Sequence, residues 1–249
     1  WEIAVTSQLP TVTDAFTTID GTAYNFSDGT SLRDTNPGLL GTGGTVGVDG
    51  LTLDQVPGPE LEIAGVNTVD YGIRIEADDG RVRSLAIYGF GDIEQEGNLW
   101  IQDGIINTWI EGNLVGSGAG AFSDPGAGLR TGGAGVYVNG ADDGTIQNNL
   151  IGYTVYGGVY ITGLAVGSTG WLIENNEIRR NGIGTNNFDG LAVEDLAGSV
   201  TIRGNLIWEN DAVGIDTWDG AGNNIIENNT ITRNGIGSAV TDEIFGMHL

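Results

Sequence analysis

The chain has 249 residues, with 33 acidic side chains against nine basic ones, all nine Arg, and a formal net charge of −24. Such a field repels nucleic acid and anionic lipid, so neither is an expected partner. The absence of Cys removes disulfides, thiol catalysis and most structural zinc sites. Gly is abundant at 44 residues, but with five Pro and no G-X-Y period the chain is not collagenous. No apolar run is long enough for a membrane-spanning helix, so no membrane insertion is expected.

In chain order, residues 1–70 read as irregular entry segments. Trp1-Glu2-Ile3-Ala4-Val5 alternates like a strand from its first residue. From residue 71 to 249 two signatures interleave. The first is a short strand of the form Gly, apolar, any, apolar. It appears at Gly72–Ile75, Gly135–Val138, Gly158–Ile161, Gly190–Val193, Gly214–Thr217 and Gly246–Leu249, with Asn98–Ile101 as a variant. The second is I-x-x-N-x-I, led by Ile110, Ile146, Ile173, Ile202 and Ile226, with Val82 leading a degenerate copy. The steps between these leaders are 28, 36, 27, 29 and 24 residues. Strands of three to five residues recurring at this period describe a solenoid, each coil supplying two or three parallel strands. The chain is therefore expected to be all-β, one domain of roughly eight to nine coils, with an insertion at 116–134.

The central Asn of the second signature falls at Asn113, Asn149, Asn176, Asn205 and Asn229. Stacked coil on coil, these amides predict a ladder, and Asn suits a turn because it tolerates left-handed backbone. Leucine-rich repeats need a steadier, Leu-led period and a helical segment, which are missing here.

These repeats resemble the right-handed parallel β-helix proteins, the pectate-lyase-like solenoids. The entry segments "LPTVTDAFTTIDGT", "PELEIAG" and "GRVRSLAIYGF" are similar to the first coils of large prokaryotic surface proteins of that kind. The resemblance implies secretion or display on the cell surface and membership of a longer multidomain chain. It does not imply a reaction, because the fold carries lyases, hydrolases, epimerases, adhesins and scaffolds alike.

Enzymes of this fold work along the outer face of one sheet. On the Gly-led strands the outward residues include Trp100, Tyr137, Tyr160 and Trp218, candidate platforms for sugar rings, and the acids Glu194 and Asp216. The last two fall on adjacent coils, about 5 to 7 Å apart given the sheet spacing, which suits a two-carboxylate glycosidase. Against catalysis stand the absence of Lys and a single His, His248. The residues thus favour a non-catalytic structural or adhesive segment of an extracellular assembly, with a polysaccharide-binding or polysaccharide-degrading β-helix as the alternative. No cofactor or metal is required, although Asp78-Asp79 and Asp142-Asp143 could hold Ca²⁺ with carbonyl oxygens. The insertion 116–134 is a candidate partner loop.

Two features point to association. Leu114, Leu150 and Leu206 occupy one outward stripe, which calls for cover by a loop or by another chain. The strand pattern also runs to both ends, leaving coil ends open to neighbouring domains or to copies of the chain.

Overall fold

A computed structural model describes residues 1–163, 167–184, 188–195, 197–218, 222–237 and 246–249. All regular structure among them is β, in three parallel sheets that the chain visits in rotation. Sheet 1 holds Glu2–Ala4, Leu61–Ala64, Leu85–Tyr88, Leu114–Val115, Leu150–Gly152, Glu177–Arg179, Leu206–Trp208 and Thr230–Thr232. Sheet 2 holds Tyr71–Ile75, Gly97–Ile101, Ala134–Asn139, Val159–Thr162, Leu191–Glu194, Ile215–Thr217 and Met247–His248. Sheet 3 holds Thr18–Asp20, Arg81–Arg83, Trp109–Glu111, Thr145–Gln147, Leu172–Glu174, Thr201–Arg203 and Ile225–Glu227. Each coil runs from sheet 2 to sheet 3 to sheet 1, so the eight rungs of sheet 1 match the lower end of the expected coil number.

The core follows from the register. Ile19, Val82, Ile110, Ile146, Ile173, Ile202 and Ile226 pair in succession across sheet 3. Ile63, Ile87, Val115, Ile151, Ile178, Ile207 and Ile231 do the same in sheet 1. In a parallel stack with one residue per rung facing in, identical branched side chains lie directly over one another and exclude water along the whole axis.

The ladder is present. Asn113, Asn149, Asn176 and Asn205 are fully buried, and each donates from its side-chain amide to Oδ1 of the next Asn at 3.0 Å, ending on Asn229. The same oxygens also take the backbone N–H of the preceding ladder residue, at 2.9 Å throughout. One detail corrects the sequence reading. The left-handed residue is not the ladder Asn but the one before it: Ser84, Gly112, Asn148, Asn175, Gly204 and Asn228, with φ of 52 to 65°. The doubled Asn thus divides the labour. The first adopts the turn, and the second spends its amide on the neighbouring coils.

A second ladder, absent from the sequence reading, stands at the turn from sheet 1 to sheet 2. Thr154 donates to Asn181 at 2.8 Å, Asn181 to Asn210 at 2.9 Å and Asn210 to Asn234 at 3.0 Å. Each residue lies five positions after a member of the first ladder, the three Asn inside the repeated R-N-G and E-N-D stretches, and again a left-handed residue precedes it. The signal was therefore in the repeat.

The segment 21–60 departs from the solenoid and returns across the outside of sheet 1. Two short antiparallel pairs, Leu39–Leu40 with Val56–Pro57 and Gly44–Val46 with Leu51–Leu53, build an arm. Its Thr42 donates from Oγ1 to Glu177 at 2.9 Å, and the Gly47 N–H reaches the Thr230 hydroxyl at 3.0 Å. Val56 and Leu40 of the arm join Ala119 and Phe122 of the 116–134 insertion over Ala86, Leu114 and Leu150. Leu114 and Leu150 are then buried, at 0% and 1% exposure, and Leu206 is half-buried. Of the two covers expected for the leucine stripe, a loop or another chain, the chain's own arm and insertion supply it at Leu114 and Leu150. The insertion, in turn, contributes side chains to that cover.

Candidate functional site

The outer face of sheet 2 carries one column of paired residues: Arg74, Trp100, Tyr137, Tyr160, Ala192, Asp216 and His248. Its aromatic members stack on one another, Trp100 on Tyr137 at 6.3 Å between ring centres and Tyr137 against Tyr160 at 5.3 Å. The preceding loop curls over them, because the Trp100 indole donates to the Gln95 carbonyl at 3.0 Å. Trp100, Tyr137 and Tyr160 are therefore buried at 6%, 2% and 7% exposure. They form a small second core outside the sheet and cannot serve as sugar platforms, which corrects the expectation for these three. Trp218 behaves differently and stands 57% exposed at the open end of the face.

That open end gathers the acids. Side-chain oxygens of Asp189, Glu194 and Asp216 all lie within 4.8 Å of one another. Glu194 and Asp216 were expected to meet from their rung positions. Asp189 was missed, since it precedes its strand and follows no repeat signature. Its carboxylate is mostly buried and accepts the Val213 N–H at 2.8 Å, which places it under the pair. Tyr160 donates its hydroxyl to Glu194 at 2.9 Å. On the other side the His248 Nδ1 meets Asp216 at 2.9 Å, and the Trp218 ring lies 5.4 Å from the imidazole.

The electrostatics follow from crowding. Burial, offset by the Tyr160 hydrogen bond and reinforced by the charges of Asp216, Glu94 and Asp195, lifts the Glu194 carboxyl to about 7. Near neutral pH Glu194 is thus a proton donor held beside carboxylates. Burial, and the charges of Glu94, Glu194 and Asp195, push the Tyr160 and Tyr137 phenols far up, so both stay protonated. A carboxylic acid, a neighbouring carboxylate and an exposed indole in one place can exchange protons with a bound hydroxyl compound. The three carboxyl groups also have the ligand chemistry of a Ca²⁺ site, with hard oxygen donors. Asp78 and Asp142, each from one of the other two Ca²⁺ candidate pairs, also take part in the turns between coils. Asp78 accepts the Ile106 N–H at 2.9 Å and Asp142 the Thr169 N–H at 2.6 Å, each from the next coil.

No curated protein matches the chain. Two solved structures similar to it are Azotobacter vinelandii mannuronan C-5 epimerase modules, the AlgE6 A-module and the AlgE4 A-module. Both are 14% identical with a TM-score of 0.39. The first aligns over 72% of this chain and 62% of the module, the second over 75% and 65%, so the chain spans somewhat less than two thirds of either module. The family model described as "Right handed beta helix region" matches residues 62–243, which is most of the chain. With its three parallel sheets and stacked ladders, the chain belongs to the right-handed β-helix family.

Proposed function

We propose that this β-helix acts on a neutral polysaccharide outside the cell, as a two-carboxylate glycoside hydrolase working at the open end of sheet 2. The observation that carries the reading is the pairing of a protonated Glu194 with Asp216 beside an exposed Trp218. Carboxyl groups this close leave no room for an intervening water and suit the retaining mechanism. Glu194 passes its proton to the glycosidic oxygen as the bond to the anomeric carbon breaks, and an Asp216 oxygen bonds to that carbon. Water then displaces Asp216 and returns a proton to Glu194. His248 orients Asp216, and Trp218 offers its ring to the sugar. A net charge of −24 argues for an uncharged substrate.

A screen of neutral polysaccharides with a reducing-end assay tests this. Cleavage lost in Glu194→Gln and in Asp216→Asn supports it. Cleavage of no substrate, or cleavage unchanged in both variants, leaves the second reading. In that reading the solenoid is a structural or adhesive segment of a surface assembly, favoured by the two ladders and by the arm that seals sheet 1.

A further inference from the structure

The turn leading into sheet 3 repeats one backbone conformation in seven coils. Phe16, Asp79, Asn107, Asp143, Gly170, Ser199 and Asn223 all sit there in the left-handed region, with φ between 53 and 73°. The register is the same each time: Phe16 donates its N–H to the Asp78 carbonyl, as Asp79 does to Ile106 and Asn107 to Asp142. Six of the seven are residues that accept this conformation readily, small or able to bond their own backbone. Phe16 is the exception, a bulky ring for which positive φ is costly. Tyr153 has a similar φ of 61°, but its ring is buried against Phe122 and packing offsets the strain. The Phe16 ring is 78% exposed and gains little from the fold.

What lies beside it suggests a use. Two residues further on in each coil stand Thr18, Arg81 and Trp109, one outward column of sheet 3. The turn column of Phe16, Asp79 and Asn107 and this strand column together line an open cleft of about 280 Å³. Two aromatic rings stand at diagonal corners, two rungs apart, or about 9.6 Å along the stack. The Trp109 indole is fixed by donating to Asn107 at 3.1 Å. Between the rings are a hydroxyl, a carboxylate, an amide and a guanidinium, donors and acceptors in alternation. Arg81 is already paired with Glu111, and Asp79 with the Asn107 amide, so the cleft presents no free cation to attract an anion.

We infer that the Phe16–Trp109 cleft is a saccharide-binding subsite, taking one or two neutral pyranose units between the rings. Apolar sugar faces pack on aromatic rings while the ring hydroxyls find the polar edge groups. The subsite lies on sheet 3, separate from the acids on sheet 2, and stands whether or not those acids are catalytic.

Isothermal titration calorimetry of the 249-residue chain with cellohexaose, xylohexaose and mannohexaose tests it, run in the Glu194→Gln variant so that no probe is turned over. At least one probe is expected to bind, with affinity falling at least tenfold in Phe16→Gly and in Trp109→Ala. The Phe16→Gly variant should melt at or above the parent temperature, because glycine relieves the strained φ. Three results would overturn the inference. These are no binding by any of the probes, binding unchanged in Phe16→Gly, and a Phe16→Gly variant that melts lower or fails to fold, which would make the ring structural. Binding that depends on Trp218 while Phe16→Gly leaves it intact would belong to the other face and would also count against the cleft.

Discussion

Two kinds of buried polar residue stand out in this chain, and they contribute to stability in opposite directions. The ladder asparagines have every donor and acceptor matched. Removing one leaves the backbone N–H of its neighbour and a carbonyl unpaired in a dry interior, which costs roughly 1–3 kcal/mol. We expect Asn176→Ala to lower the thermal midpoint accordingly, and Asn181→Ala in the second ladder to do the same; an unchanged midpoint in both would contradict the ladders' role. Glu194 is the reverse case. Its carboxyl titrates near 7 in the folded chain against an ordinary value of 4.5. Between those pH values the folded state holds a proton that the unfolded chain has released. The stability linked to this proton is fully present below about pH 4.5 and is lost as pH rises through 7, on the order of 1–3 kcal/mol. Glu194→Gln should therefore melt above the parent at pH 8, with the difference shrinking towards pH 4. A constant offset across that range would remove Glu194 as the titrating group. A residue that weakens the fold at neutral pH is a recognised mark of functional sites.

Among the elements, the arm is the part that ordinary repeat logic does not supply. It is held by few contacts, and Glu177 is central to them. This carboxylate is 1% exposed, yet receives the N–H and hydroxyl of Thr42, the Trp208 indole at 3.3 Å and an Arg179 guanidinium at 3.2 Å. Replacing it with Ala leaves Arg179 without its charge partner and Thr42 without an acceptor. We expect Glu177→Ala to speed proteolytic nicking within residues 37–58 several-fold while the solenoid's far-ultraviolet signal persists. Cleavage at the parent rate would show that apolar contacts alone hold the arm. Leu150→Ala tests those contacts, since it opens a cavity under Val56 and should cost about 2–5 kcal/mol.

At the scale of the molecule, the outermost coils leave core-type side chains uncovered. Ile3 continues the sheet 1 core column but is 47% exposed, and Met247, which continues the sheet 2 core column past Ile215, is 41% exposed. Both lie on edge strands of their sheets among the described residues. We expect the 249-residue chain to associate end to end at micromolar concentration, and sedimentation velocity would show it. A stable monomer over that range would mean that the ends are protected without a partner.

How far the sequence went follows from the range of the contacts. Every feature that depends on one coil meeting the next was legible: the core columns, the first ladder, and the approach of Glu194 to Asp216. Neighbouring coils are only 24 to 36 residues apart in the ladder, and the spacing repeats, so a residue's partner can be counted off along the chain. The second ladder was equally countable. What the tertiary structure alone decided lies off that period. Thr42 meets Glu177 across 135 residues, and Gly47 meets Thr230 across 183. No repeat specifies where such an excursion lands, so which of the two covers the leucine stripe receives could not be read. Nor could the burial of Trp100, Tyr137 and Tyr160, because strand alternation says which side of a sheet a ring occupies but not what folds over it. Asp189 entered the site in the same way, through the path of a turn. Local and nearest-neighbour physics wrote the solenoid into the sequence, whereas the covering of its faces, and with it the choice of which face stays open, arose only when the chain packed against itself.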